Sequence, residues 1–216
     1  MADGHPSKIL IATTNQGKFK EIYDLLHDGV EAEFVSLADV GEMGDPPAET
    51  GDTYEDNALI KARYYAERSG LPAVADDSGL EILALGGWPG LNSTTPLGDG
   101  RKLSDPQLVE VVLRRMERYP VEAQRRARFV CAAAYVDLKK QYELVVRGSL
   151  YGVIGKHPKG KTGFGYDPIF WLPDTWKTLA QMSTAEKNRY SHRRNAFITL
   201  KPRIIHEFVK SAGYAL

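Results

Sequence analysis

Asp76 and Asp77 stand side by side within Pro72–Gly79, after a short apolar run, Ala73–Ala75, and just ahead of Ser78 and Gly79. An apolar strand that delivers acids into a glycine turn is a common site arrangement in α/β proteins. Two adjacent carboxylates are costly in a dry core unless a cation, a shared proton or hydrogen bonds compensate them. The pair therefore points to metal-assisted chemistry. The plainer alternative is that one Asp caps a turn while the other faces water.

A second polar group lies near the N-terminus. Lys8–Ala12 predicts a buried strand, Thr13–Lys18 (T-T-N-Q-G-K) a polar turn, and Lys18–Leu26 an amphipathic helix. Backbone N–H groups at such a helix start can face a phosphate, and Lys18 adds charge. The spacing matches neither a Walker A loop nor the dinucleotide fingerprint. Helix capping by Thr14 or Asn15 alone explains one polar residue, but not Thr13, Asn15 and Lys18 together.

Further acids and cations sit on the next elements. Ala32–Leu37 predicts a strand, followed by a loop over 38–51 that carries Glu49. A helix from about Thr53 to Ser69 is closed by Gly70. Glu55 lies in its first turn, and Asn57 and Lys61, four apart, share a face. The segments following the acidic pair are Leu80–Leu85, a polar loop over 91–105, and a helix from Ser104 to about Tyr119. Phe129–Val136 predicts a central strand paired with Tyr142–Arg147 as a hairpin, with Cys131 a small core residue.

Toward the C-terminus, Gly163-Phe164-Gly165-Tyr166-Asp167-Pro168 frames aromatics with glycines. The glycines let backbone approach a ligand closely. Phe164 or Tyr166 could stack on a planar base, and Asp167 could accept from its edge. The alternative is core aromatics in a strand-start turn. Ser183 and Glu186 form a capping box, and a last helix spans roughly Ser191–Ala212, with Phe208 inward and Pro202 expected to kink or split it. His192, Arg193 and Arg194 at its start, with Lys187 one short helix earlier, oppose the dipole preference and suit a nearby anion.

Composition narrows the function. The 216 residues carry 28 Lys+Arg and 28 Asp+Glu, a formal net charge of zero. A general nucleic-acid binder is normally basic. One cysteine excludes an intrachain disulfide, and the sequence shows no signal peptide or membrane span. The expectation is a cytoplasmic protein without a nucleic-acid or membrane partner. It has a loose tail at 1–7 and a single domain over 8–216. Carboxylates, cations and an aromatic turn together suit a metal-bound nucleoside polyphosphate. Mg²⁺, a hard ion, wants oxygen ligands and usually touches substrate phosphates.

These pieces, in this order, resemble the Ham1-like inosine/xanthosine triphosphate pyrophosphatases. The resemblance covers about Lys8 to Phe208. It rests on Thr13-x-Asn15-x-x-Lys18, Glu49-Thr50-Gly51 with Glu55-x-Asn57-Ala58-x-x-Lys61-Ala62, and Ala75-Asp76-Asp77-Ser78-Gly79. The glycine–aromatic turn and Glu186-Lys187-x-x-x-Ser191-His192-Arg193 complete it. It implies a two-lobed α/β fold with an elongated mixed sheet flanked by helices and a cleft between lobes. It implies Mg²⁺-dependent hydrolysis of ITP, dITP and XTP to the monophosphate and pyrophosphate, by a homodimer. Asp77 would be general base and metal ligand, Glu49 a metal ligand, with Asp76 and Glu55 nearby. Asn15, Lys18, Lys61 and Lys187 would contact phosphates, with Thr13 and Ser78 beside them. Phe164, Gly165, Tyr166, Asp167, His192 and Arg193 would surround the base. One departure stands out: bacterial relatives follow the Pro-Gly turn with an aromatic and Ser-Ala-Arg, whereas this chain has Leu91 and then Asn92-Ser93-Thr94-Thr95. That leaves two alternatives, a preference for pyrimidine or modified nucleotides, or a catalytically weakened nucleotide-binding homologue.

Overall fold

Seven strands form one mixed sheet in the order β2-β1-β3-β4-β5-β6-β7. They are β1 Ser7–Ile11, β2 Ala32–Val35, β3 Ala73–Ile82, β4 Arg126–Asp137, β5 Tyr142–Ile154, β6 Phe170–Leu172 and β7 Lys177–Thr178. The β1 strand pairs in parallel with β2 and β3, while β6 runs antiparallel to β5 and β7. The helices are α1 Gln16–Leu26, α2 Tyr54–Ser69, α3 Asp105–Met116, α4 Thr184–Arg189 and α5 His192–Ser211. This computed structural model describes residues 7–211, with side chains through 207. Ser7, expected in the tail, opens β1. The rest of that tail, Ala212 as a helix end and the inward placement of Phe208 lie outside the described residues and side chains.

The described chain falls into two compact units. The first takes 7–77, 131–148 and 193–211; the second takes Ser78–Val130 and Ser149–His192. The core of the first gathers Ile9, Ile11, Val74, Cys131 and Tyr135 from strands with Ile22, Leu26, Phe197 and Leu200 from α1 and α5. The second unit packs Leu108, Val112 and Met116 of α3 with Leu80, Ile82, Phe129 and Phe170.

The largest difference from expectation is β3. Ala73–Ala75 does not end in a glycine turn; the strand continues for ten residues through Asp76, Asp77, Ser78 and Gly79 to Ile82. Burial explains it. β3 lies between β1 and β4, where backbone N–H and C=O groups need ladder partners. Eight of its ten residues are buried. Helix α5 likewise runs without a break through Pro202. Other boundaries shift only slightly. The second predicted strand ends at Val35 before a 3₁₀ turn, and the hairpin strand continues past Gly148 to Ile154, as the sequence leads one to expect.

Candidate active site

In the first unit, the polar turn after β1 folds into a helix cap. Asn15 Oδ1 accepts from the Lys18 N–H at 3.0 Å, and Thr13 Oγ1 accepts from the Asn15 N–H at 3.2 Å. This settles Asn15 over Thr14 as the cap, and it sends the Lys18 side chain along α1 toward Asp76.

Successive strand residues face opposite sides of a sheet. Asp76 therefore shares its face with Val74, toward α1 and α5. There its carboxylate meets Lys18 Nζ at 3.1 Å and the Arg193 guanidinium at 3.0 Å. Burial pushes the Asp76 pKa up, but the fields of Lys18, Arg193 and Lys61 more than cancel it, and the net value lies well below the ordinary 3.8. Arg193 was expected beside the base; it is 1% exposed and also donates to Glu21 at 2.7 Å. Both of these side chains are thus engaged in a buried ion network with Lys18 and Glu21.

Asp77 faces α2 instead. Its Oδ1 accepts from Lys61 Nζ at 2.8 Å, and its Oδ2 lies 3.4 Å from Asn57 Nδ2. Lys61 Nζ also donates to Glu49 Oε1 at 3.0 Å. Desolvation raises the Asp77 pKa and the Lys61 ammonium lowers it; the nearby Glu49 carboxylate adds to the rise, and the net direction is upward. For Lys61, burial lowers the pKa, but Asp77, Asp76 and Glu49 outweigh it and hold the group charged. Glu55 turns toward Arg147 at 3.4 Å.

Glu21 is the residue that sequence reasoning leaves out of the site, and Asn57 is placed by it on the same face as Lys61 without a role. Asn57 is buried; its Oδ1 accepts from the Gly51 N–H at 2.8 Å, so it ties the Glu49 loop to the Asp77 side of β3. Gly51 has no room for a Cβ, which would meet Asp56 Cβ at 2.5 Å and Asn57 Oδ1 at 2.8 Å. The signal was present: Asn57 and Lys61 are four apart on α2, and Lys18 and Glu21 three apart on α1, spacings that share a helix face.

The second unit holds the aromatic turn. Asp167 is buried, and its Oδ2 accepts from Lys187 Nζ at 2.6 Å and from the Phe164 N–H at 2.9 Å. Lys187 Nζ also lies 4.5 Å from the centroid of the half-exposed Phe164 ring. Gly163 has φ +82°, and a Cβ there would collide with the Asp167 carboxylate. Gly165, at φ +60°, completes the turn. Tyr166 is not a stacking surface. It is 4% exposed and donates its hydroxyl to the Ser93 carbonyl at 2.7 Å, which makes it a core residue. His192 stacks on Phe129, with ring centroids 4.9 Å apart. Ser78 is partly exposed on β3.

A hard-cation site is consistent with these donors. Among the described residues no group of three or more His, Cys, Asp or Glu side chains clusters as a metal site. Magnesium needs only one or two carboxylates when it keeps waters and touches substrate phosphates. Glu49 and Asp77 meet that requirement, since their oxygens converge on one positive centre, Lys61 Nζ.

A mixed sheet flanked by helices, carrying a lysine-bridged carboxylate pair and a buried ion network, defines a protein of the α/β class. The Ham1 family description matches residues 9–203. A protein named dITP/XTP pyrophosphatase from Dictyoglomus thermophilum is 42% identical over 193 residues, 89% of this chain and 92% of that one. One of the same name from Haemophilus influenzae is 41% identical, covering 91% of this chain and 98% of its own. The solved structure of a HAM1 protein from Coxiella burnetii superposes with a TM-score of 0.79 at 37% identity, covering 92% of this chain and 98% of that chain. The chain belongs to the Ham1 family.

Proposed function

We propose that this enzyme hydrolyses the deaminated purine nucleoside triphosphates dITP, XTP and ITP between the α and β phosphates, releasing the nucleoside monophosphate and pyrophosphate. The observation that carries the reading is the Asp77 carboxylate, fixed mid-strand with Oδ1 held by Lys61 and Oδ2 receiving only a long contact from Asn57. The names of the relatives support the substrate class.

In this reading Asp77 is the general base. Oδ1 is held by a charged donor, so Oδ2 is the atom that takes the proton from a water attacking the α-phosphorus. The raised pKa of Asp77 strengthens it as a base. Lys18, Lys61 and Lys187 offset charge on the phosphates and on the departing pyrophosphate, with Thr13, Asn15 and Ser78 beside them. Glu49 and Asp77 would hold Mg²⁺, which when bound supplies further positive charge to the phosphoryl oxygens. Phe164 offers a ring face to the base, within the turn that Gly165, Tyr166 and Asp167 complete. A donor in that turn or on His192 would donate to the 6-oxo oxygen and reject adenine, whose exocyclic amine is itself a donor there. The resemblance also carries the expectation of a homodimer, read by light scattering on the purified chain.

Within the altered stretch Asn92–Thr95 the serine of the family pattern is kept, while Asn92 and Thr94 are exposed. Ser93 is buried; its Oγ accepts from the Leu80 N–H at 2.8 Å and donates to the Gly90 carbonyl at 2.6 Å. Ser93 thereby anchors the loop to the backbone of Leu80 and Gly90. The deciding experiment is product analysis with Mg²⁺ across dITP, XTP, ITP, ATP, GTP, dTTP and UTP. Monophosphate and pyrophosphate from the deaminated purines support the reading. Faster turnover of dTTP or UTP, or release of orthophosphate alone, overturns it.

A further inference from the structure

The second unit contains a cavity of about 530 Å³ that none of the candidate active-site residues lines. That volume is in the range of small-molecule sites. Its walls include two indoles, Trp171 and Trp176. Trp176 lies in the β6–β7 turn with φ +54° and is 74% exposed. A bulky residue in the left-handed region is a rare conformation, and such strain concentrates at sites of function. A solvent-facing indole held that way gains nothing for the core.

The charge at this cavity is one-sided. Lys156, His157 and Lys159 are exposed along it, and Lys159 Nζ lies 4.8 Å from the Trp171 ring centroid. Arg125 lines it as well, and that residue is 4% exposed. Its guanidinium donates to the carbonyls of Ile154, Met116, Tyr119 and Gly155, at 2.6 to 2.9 Å. Four of its five N–H donors are thereby used, and among the described residues no carboxylate neutralises it. Glu122 is the one acid among the lining residues. Aromatic faces stack on planar bases, while a buried guanidinium and lysines attract phosphate.

We propose that this cavity is a binding site for an anionic aromatic ligand of nucleoside-monophosphate size, separate from the site around Asp77. The ring lies against Trp171 and Trp176, and the phosphate faces Lys156, Lys159 and Arg125. The proposal stands whether or not the catalytic reading holds, because it uses none of the same residues.

The test is a titration of the full-length, ¹⁵N-labelled chain with AMP, following the indole N–H resonances of its three tryptophans. Trp171 and Trp176 are expected to shift saturably while Trp88 stays in place. Adenosine and inorganic phosphate are each expected to bind at least about tenfold more weakly, since each offers half of the recognition. Lys156→Ala/Lys159→Ala keeps both indoles and every proposed catalytic residue. It is expected to weaken AMP binding at least about tenfold, with the remaining spectrum unchanged. Absence of any shift at Trp171 and Trp176 overturns the proposal. So does an unchanged midpoint in the double variant, or phosphate alone matching AMP.

Discussion

Arg193 and Asp76 are 117 residues apart in sequence and meet at 3.0 Å, each with its side chain 1% exposed. Breaking a buried pair strands the surviving charge, which costs about 3–5 kcal/mol. Arg193→Met should therefore lower unfolding free energy by roughly that amount, and Arg193→Lys should recover part of it. Urea denaturation decides; a loss under about 1 kcal/mol would show that Lys18 alone compensates Asp76.

The same carboxylate sets the acid limb of stability. Its folded pKa lies below the ordinary 3.8, so in acid the unfolded chain binds the proton more readily. The stabilisation is fully present above that ordinary value and is lost as pH falls through the folded one. The stability gap between the wild-type chain and Asp76→Asn should be constant near neutrality and shrink below about pH 4. A gap that widens in acid would reject the assignment.

Asp77 behaves with the opposite sign. Its pKa is raised, and Lys61 is what restrains the rise. A general base works only when deprotonated, so kcat/KM should fall on an acid limb set by Asp77. Lys61→Met should move that limb to higher pH and lower the plateau. An unmoved limb would mean that another group takes the proton.

Asp77→Asn should lower turnover about 10²–10⁴-fold, the usual range for a general base, with far-UV circular dichroism unchanged. Chelation of divalent ions should abolish pyrophosphate release, and Mg²⁺ should restore it. Persistence of full turnover in the chelated enzyme would reject the role given to Glu49.

Gly163→Ala tests the aromatic turn. The added methyl meets the Asp167 carboxylate in a backbone conformation that alanine avoids. A stability loss of about 1–3 kcal/mol is expected, with a higher KM because the Asp167–Lys187 pair must shift. Unchanged KM would separate this turn from substrate.

Much of the fold is readable locally. Thr53 and Gly70 bracket α2 because a hydroxyl acceptor and a left-handed glycine are short-range signals, and both caps are present. The capping box of Ser183 and Glu186 opens α4 for the same reason. The central strand is the opposite case. Asp-Asp-Ser-Gly has the composition of a turn, and only neighbours on both sides, with Lys18 and Arg193 brought in from distant helices, make it a strand. The site was legible as a set of residue types. Which cation meets which acid was not, because the basic run at His192–Arg194 reads as one cluster suited to a single anion, whereas Arg193 is buried against Asp76 and His192 stacks on a phenylalanine.

The alternation along β3 has a broader meaning. A single peptide unit serves as a partition between two chemical compartments, one holding its acid below the ordinary carboxylate pKa and the other raising its acid above it. Either compartment can be retuned by substitutions on its own side of the sheet. Deleting one residue upstream would hand each carboxylate its neighbour's surroundings, so the spacing of this strand is itself under functional constraint.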